Sequence, residues 1–404
     1  VTPSARHAAA ICILDDWLAG APVERLLTTW GRQNRYAGAK DRAAIRDLVF
    51  EVLRCRQSFA ALGGADTGRG LVLGLLRSAG ADPDTVFTGE RHAPAPLTER
   101  ERAAPPPLTD LPEEIACDCP ADLAPVLRES LGADFRPVME ALRRRAAVFL
   151  RANLRRTTRD AAAAALAEEG VETRPHPLSP AALEVTANAR RVQQSRAYAE
   201  GLVELQDAAS QAVADLMPLA PGDRVLDYCA GGGGKTLALA GRVAARFHAH
   251  DAAPERMRDL PVRAGRAGVE VTLLGAGGLA AAEPFDLVLC DVPCTGSGAW
   301  RRSPEAKWRT GPADLARLTE VQAQILDRAA PLVGPGGALG YATCSLIGAE
   351  NAAQVAAFLA RHPGWTVAAE RRLTPLDGGD GFYAAVLRRG QAAVRAGGAP
   401  LTHG

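Results

Sequence analysis

The sequence predicts an α/β protein: a doubly wound, mostly parallel sheet preceded by a small α/β module and an all-α domain. Three observations predict it. From Gln206 onward, strand-like and helix-like runs alternate, the pattern of βαβ units. Residues 1–80 are rich in Ala, Leu and Arg with helical periodicity. Between these lies "APAPLTERERAAPPPL", whose prolines and charges mark an irregular connection.

The elements follow in order. In "DRAAIRDLVFEVLRCRQSFAAL", Ile45, Leu48, Val49, Val52 and Leu53 share one helical face. "AVFLRANLRR" alternates like a strand, "TRDAAAAALAEEG" is a helix stopped by Gly170, and "LEVTAN" is a further strand. Then come the strands "RVLDYC", "RFHAH", "VEVTLL", "FDLVLC" and "ALGYATC", separated by helices such as "PADLARLTEVQAQILDRAAPLV". The expected division is a helical domain over 1–90, a linker over 91–115 and an α/β module over 116–205. The sheet domain follows over 206–390, with a tail over 391–404.

Composition narrows the class. The chain has 404 residues, 47% hydrophobic and 23% charged, ordinary for a globular protein of two or three domains. No apolar run reaches the roughly 18 residues of a membrane span, so no membrane partner is expected. "AAAICILDDWLAG" is broken by Asp15 and Asp16 and reads as an amphipathic helix rather than a signal peptide. Eight cysteines without regular spacing predict free thiols in a reducing cytoplasm. Cys117 and Cys119 read as a loop pair, and no metal is expected. Residues 136–200 hold 12 Arg against 7 acidic residues, whereas 82–134 hold 4 Arg against 12; a basic stretch beside an acidic one fits a polyanion partner. Only Lys40, Lys235 and Lys307 are lysines, and the last two fall in motifs.

Ligands of doubly wound sheets bind beyond the carboxyl ends of the strands. Cys229, Asp251, Asp291, Cys294 and Cys344 all follow strand-like runs, so one fold would gather them. "LDYCAGGGGKT" is not a P-loop, because Cys229 stands where that spacing needs glycine. It is a glycine turn, Gly231 to Gly234, that lets backbone approach a ligand. Asp251 follows about 20 residues later and can accept ribose hydroxyls. This pairing points to an adenosine-bearing cofactor, a dinucleotide or S-adenosylmethionine.

The cysteines bear on that choice. C5 of a pyrimidine is a poor nucleophile, but a thiolate adding at C6 makes it an enamine able to take a methyl group. This is covalent catalysis. Asp291 could bond N3 and the exocyclic amine and favour cytosine. A thiol with a pKa near roughly 8.5 needs its thiolate stabilised, and Lys235 is a candidate. Cys290, inside its strand, reads as inert. Spacing alone does not choose between Cys294 and Cys344 as attacker. Arg301, Arg302, Lys307 and Arg309 could hold RNA phosphates, and Trp300 and Trp308 could stack on bases.

"VLDYCAGGGGKT", "DVPCTGSGAWRRSPEAKW", "YATCSLIGAEN", "LQDAAS" and "DGFYAA" together resemble the motifs of the bacterial Sun/Fmu-type RNA cytosine-C5 methyltransferases. "DRAAIRDLVFEVLR" resembles their NusB-like RNA-binding helical domain, and "FLRANLRRTTRDAAAAALAEEGV" resembles the small module before their catalytic domain. The resemblance implies a Rossmann-like class I methyltransferase domain with S-adenosyl-L-methionine as cofactor. It implies RNA as partner, small-subunit ribosomal RNA in particular, and a monomeric cytoplasmic enzyme. It makes Cys344 the nucleophile and gives Cys294 the release of product. It places the cofactor on Cys229, Ala230, Gly231, Gly232, Gly233, Gly234, Lys235, Asp251, Arg256 and Asp291. The alternatives are a ribosome-assembly RNA-binding protein with weak or no activity, and a tRNA or DNA cytosine-C5 methyltransferase. DNA cytosine methyltransferases attack with a cysteine that follows proline, as Cys294 does.

Two departures stand out. The family usually has proline where this chain has Gly232. It also usually has an acid after the third strand, at the adenine. Here "LLGAGGLAAAEPFD" offers Ala276 or Gly277 and no acid before Glu283, so weaker cofactor binding is expected.

Overall fold

A computed structural model describes residues 1–390; the expected tail, 391–404, lies outside the described residues. The chain forms two compact units, one of residues 1–146 with 299–312, the other of residues 147–298 with 313 onward.

The first unit is helical. Its helices include Pro3–Leu18, Val23–Gln33, Ala39–Arg54, Arg56–Gly63 and Gly68–Ser78. The apolar positions of Ala39–Arg54 recur at helical spacing, which turns Ile45, Val49, Val52 and Leu53 into one core with Leu14, Trp17 and Phe59. Burying each such aliphatic side chain contributes about 1.5–3 kcal/mol. The region expected as a linker carries short helices at Glu99–Arg102 and Glu113–Ala116. Ala124–Leu131 and Phe135–Leu142, read from sequence as part of the α/β module, are helices that group with this first unit.

The second unit holds two sheets. The smaller comprises β1 (Val148–Ala152), β2 (Glu172–Pro175), β3 (Ala182–Ala187) and β4 (Val203–Leu205), ordered β2-β3-β1-β4. Helix Arg159–Glu168 covers it; Thr158 Oγ1 caps the helix by accepting from Ala161 N, and Gly170 ends it with φ +75°.

The larger sheet comprises β5 (Arg224–Asp227), β6 (Arg246–Ala249), β7 (Val271–Leu273), β8 (Phe285–Asp291), β9 (Val333–Thr343), β10 (Trp365–Leu373) and β11 (Phe382–Arg389). Its order is β10-β11-β9-β8-β5-β6-β7. The strands from β9 to β7 are parallel and the β10/β11 edge is antiparallel. In β8, Leu287, Val288, Leu289 and Cys290 are all fully buried, as a central parallel strand covered on both faces requires. The chain runs outward from β5 to β7, then returns to β8 on the other side of β5. That reversal is the topological switch point where ligands of such sheets bind.

Candidate active site

Parallel pairing brings the carboxyl ends of β5, β6, β8 and β9 to one edge. Asp291 is in register with Ala342, so Cys344 begins the loop two residues beyond Asp291's partner. The loop after β8 is tied to the loop after β9, where Gly298 N donates to the Cys344 carbonyl at 2.9 Å. The Sγ atoms of Cys294 and Cys344 then lie 3.4 Å apart.

The two thiols are not equivalent. Cys294 is pushed well above the ordinary thiol range by its hydrogen bond to Cys344 and by burial. It keeps its proton, and the contact is a thiol–thiol hydrogen bond in which either sulfur can be the donor. Lys235 Nζ, fully surrounded by protein, donates to Asp291 Oδ2 at 2.6 Å. Burial opposes its charge, but Asp291 and Cys344 more than compensate, so its pKa is raised and it remains an ammonium. Cys229 and Cys290 are both held protonated by burial.

The glycine turn joins β5 to helix Gly234–Ala240. Gly231 and Gly233 take φ +49° and +77°, which side chains other than glycine adopt only with strain. Gly231 N donates to Asp251 Oδ2 at 2.9 Å, and Ala253 N to Asp251 Oδ1 at 3.0 Å. Arg256 Nη1 stands 3.3 Å from the same carboxylate. Ala230 N donates to the His250 carbonyl, tying the turn to the end of β6. At Gly232, where the family has proline, Arg263 donates to the carbonyl and tethers the turn from outside. A Cβ on Gly231 would lie 3.5 Å from Arg256 and 4.0 Å from Asp251 Oδ2, ordinary contacts, so it is the positive φ rather than crowding that favours glycine there. These residues fit an adenosine-bearing cofactor: each Asp251 oxygen retains a lone pair for a ribose hydroxyl.

Asp227 lies beneath this turn. It is completely buried, accepts from Thr236 Oγ1 at 2.7 Å and leaves Oδ1 without a hydrogen-bond partner. Burial pushes its pKa up to about 7.

Three positions were missed from sequence. Glu350 is fully buried; its carboxylate accepts from Thr295 N (2.8 Å), Thr295 Oγ1 (2.5 Å), Ser345 Oγ (2.5 Å) and Gln322 Nε2 (3.0 Å). It therefore fixes the residue after each of the two cysteines. It lies in the quoted motif "YATCSLIGAEN", but a glutamate there reads as a helix start until the fold closes over it. Arg151 of β1 donates to Gln206 Oε1 and to the Gly234 carbonyl, joining the small sheet to the glycine turn. Gln206, inside "LQDAAS", donates to the same carbonyl at 3.2 Å.

The expected phosphate-binding group is corrected by the structure. Segment 299–312 packs within the helical unit. Lys307 is 1% exposed and donates to the Arg54 carbonyl, and Arg301 is buried with its carbonyl accepting from Arg54 Nε. Arg309 is spent on the Gly20 and Ala21 carbonyls and on Glu305. Trp300 is fully buried and presents no face for stacking, while Trp308 is half-buried with its Nε1 donating to the Leu53 carbonyl. Burial lowers the Lys307 pKa, opposed in part by the buried carboxylate of Asp118 and the nearby thiols. Arg302 and Arg309 are exposed, and Arg302 lines a cleft.

A seven-stranded sheet of this order, with acids at the ends of β6 and β8 and a glycine turn after β5, makes the protein a Rossmann-like methyltransferase. Comparison with known sequences then narrows the class. The family model described as "16S rRNA methyltransferase RsmB/F" matches residues 214–388, and the ferredoxin-like domain of RsmF/B-like methyltransferases matches residues 120–193. The chain belongs to the RsmB/F family. Ribosomal RNA small subunit methyltransferase B of Salmonella arizonae is 33% identical over 282 residues, covering 66% of each chain. The protein of that name from Klebsiella pneumoniae is 34% identical over 279 residues, covering 65% of this chain and 64% of its own. The alignments thus span about two thirds of these relatives. Among solved structures, PH0851 superposes with a TM-score of 0.73 at 22% identity, covering 96% of this chain and 99% of its own. A methyltransferase homologue from Pyrococcus horikoshii gives 0.61 at 23% identity, covering 69% and 97%. Both share the fold. S-adenosylmethionine is the cofactor of RsmB/F methyltransferases.

Among the described residues no helix is long and apolar enough to cross a membrane, and no cluster of three or more metal-ligating side chains occurs.

Proposed function

We propose that this protein methylates C5 of a cytosine in small-subunit ribosomal RNA through a covalent adduct between Cys344 and C6 of the base. The observation that carries the reading is the 3.4 Å approach of two thiols at a strand-end site that also holds the Lys235–Asp291 pair. A base-methylating enzyme without covalent chemistry needs neither thiol.

S-adenosylmethionine, when bound, supplies an electrophilic methyl group. Asp251 and the turn from Cys229 to Gly234 bind its adenosine, with Arg256 holding Asp251 in place. Cys344, beside the Cys294 thiol, adds to C6 and makes C5 nucleophilic. Asp291 accepts from the exocyclic amine and selects cytosine, and Lys235 orients that carboxylate. After C5 has been methylated, its proton leaves to a base, and Cys294 serves the elimination that frees Cys344. The target base must leave its stack to reach this edge, which favours single-stranded or transiently open RNA. The reading makes the enzyme a cytoplasmic monomer; its eight cysteines, all free, suit a reducing compartment.

The test is incubation of the purified protein with a labelled methyl donor and small-subunit rRNA, transfer RNA or unmethylated DNA. Nuclease digestion and mass spectrometry identify the product. 5-Methylcytidine in rRNA alone supports the reading; label in DNA, or in no substrate, overturns it.

A further inference from the structure

The turn after β5 is a run of four glycines, Gly231 to Gly234. Glycine loses more backbone freedom on ordering than any other residue. Left to itself, such a run would have to be ordered by its ligand, and affinity would fall. In this chain it is ordered from outside. The Gly232 carbonyl accepts from Arg263 Nη1. Arg263 lies on helix Leu260–Ala267, one turn from Leu260. Leu260 closes on the next glycine: a Cβ on Gly233 would fall 2.1 Å from Leu260 Cδ1. The Nε edge of the Arg263 guanidinium stands 3.4 Å from Glu204 Oε2, and Arg266 of the same helix donates to that oxygen at 2.5 Å. Glu204 belongs to β4 of the smaller sheet and is buried. The smaller sheet also grips the far end of this helix. There Asn153 Nδ2 and Arg156 Nη1 donate to the carbonyls of Ala267 and Arg266 at 2.9 and 2.8 Å. A buried carboxylate shared by two guanidinium groups holds their planar forks in fixed directions, and one fork ends on the turn.

We propose that Glu204 and Arg263 are positioning residues for S-adenosylmethionine: through them the smaller sheet sets the Gly232 peptide before the cofactor arrives. The proposal rests on the reading of this turn as the cofactor site and is independent of which RNA is methylated. Both residues act through the backbone of the turn, so their effect falls on cofactor binding rather than on the methyl-transfer step. Gly232 supplies a discriminating variant. It lies outside the left-handed region that favours glycine, and a Cβ on it would meet only Arg263 Nη1, at 3.0 Å. With Arg263 shortened, alanine fits at 232 and narrows the freedom of the chain by itself.

The experiment measures S-adenosylmethionine binding to the full chain by isothermal titration without RNA, and KM and kcat for the methyl donor from initial rates. Wild type is compared with Arg263→Ala, Arg263→Met, Glu204→Gln and the double variant Arg263→Ala with Gly232→Ala. Arg263→Met keeps the aliphatic stem, so a loss it shares with Arg263→Ala belongs to the guanidinium. Arg174→Ala, an exposed arginine of the smaller sheet paired with Glu184, is the control. Thermal unfolding without cofactor checks that each variant is folded. The three single variants of the pair are expected to bind about tenfold more weakly, the worth of one hydrogen bond to a charged group. Their KM should rise while kcat stays within about twofold of wild type. Adding Gly232→Ala to Arg263→Ala should recover about threefold of the lost affinity, which a merely structural arginine does not predict. Arg174→Ala should change nothing. Undiminished affinity in Arg263→Met, a loss confined to kcat, or no recovery in the double variant overturns the proposal, while 5-methylcytidine formed by wild type still supports the function. A wild type that binds no S-adenosylmethionine overturns both.

Discussion

Lys235 Nζ donates to Asp291 Oδ2 at 2.6 Å although 56 residues separate them in sequence. The sheet makes the pair: Lys235 enters helix Gly234–Ala240 from the turn after β5, and Asp291 ends the neighbouring β8. A compact ammonium fits here, where Phe382 lies 5.0 Å from Nζ, in a way a guanidinium fork does not.

Lys235→Met should therefore reduce the methyl-transfer rate by about a hundredfold or more, the scale of losing a positioned acid–base partner. Lys235→Arg should not restore it. Initial rates with saturating RNA read this out. Activity within a few-fold of wild type in Lys235→Met would remove Lys235 from the chemistry.

Glu350→Gln should lower unfolding stability by about 2–4 kcal/mol. An amide NH2 would replace one carboxylate oxygen and face donors, stranding buried groups at that cost. Thr295 and Ser345, held by the two carboxylate oxygens, would lose their fixed places, and with them the Cys294–Cys344 approach. Denaturant unfolding and methyl-transfer rate should fall together; unchanged values in both would mean the network is not what aligns the thiols.

Asp227 gives a pH signature. Burial raises its folded pKa to about 7 from the ordinary 3.8, so the folded chain binds that proton more tightly than the unfolded chain does. The associated stability is present below about pH 4 and is lost as pH rises through 7, at most about 4 kcal/mol at 1.36 kcal/mol per pH unit. Asp227→Asn still accepts from Thr236 and lacks this dependence. Its melting temperature should therefore gain on wild type between pH 5 and pH 8. A difference independent of pH would contradict the assignment.

The residue after the third parallel strand offers a gain of function. Ala276 is exposed and opens the short helix after β7, with no side-chain cap at Gly275. Ala276→Asp would restore the acid that relatives of this type usually place at the adenine. Isothermal titration should show S-adenosylmethionine binding about tenfold more tightly, the worth of one hydrogen bond to a charged group. Unchanged affinity would mean that another contact already holds the adenine.

The parallel sheet and its strand-end residues could be read in advance because they depend on local pattern: apolar runs for the strands, glycines for the turn, and polar residues where each run stops. What depends on tertiary context was illegible. Lys307 and Trp308 sit in a polar, aromatic stretch typical of a nucleic-acid surface, yet Lys307 is buried and donates to the Arg54 carbonyl, and Trp308 is half-buried with its Nε1 tied to the Leu53 carbonyl. Glu350 resembles any surface glutamate in sequence; its four buried hydrogen bonds exist only once β8 and β9 lie side by side. Strand β10 was missed because it lies at the sheet edge, is mostly exposed between its buried ends and carries Glu370, Arg371 and Arg372.

The central claim is the division of labour between two thiols 3.4 Å apart, and trapping tests it most directly. Wild type, Cys344→Ala and Cys294→Ala are each incubated with S-adenosylmethionine and labelled small-subunit rRNA, then run on a denaturing gel. The account predicts no methyl transfer and no adduct for Cys344→Ala, and a covalent protein–RNA band that accumulates for Cys294→Ala because attack proceeds and release fails. A trapped band with Cys344→Ala and none with Cys294→Ala would contradict it and make Cys294 the nucleophile.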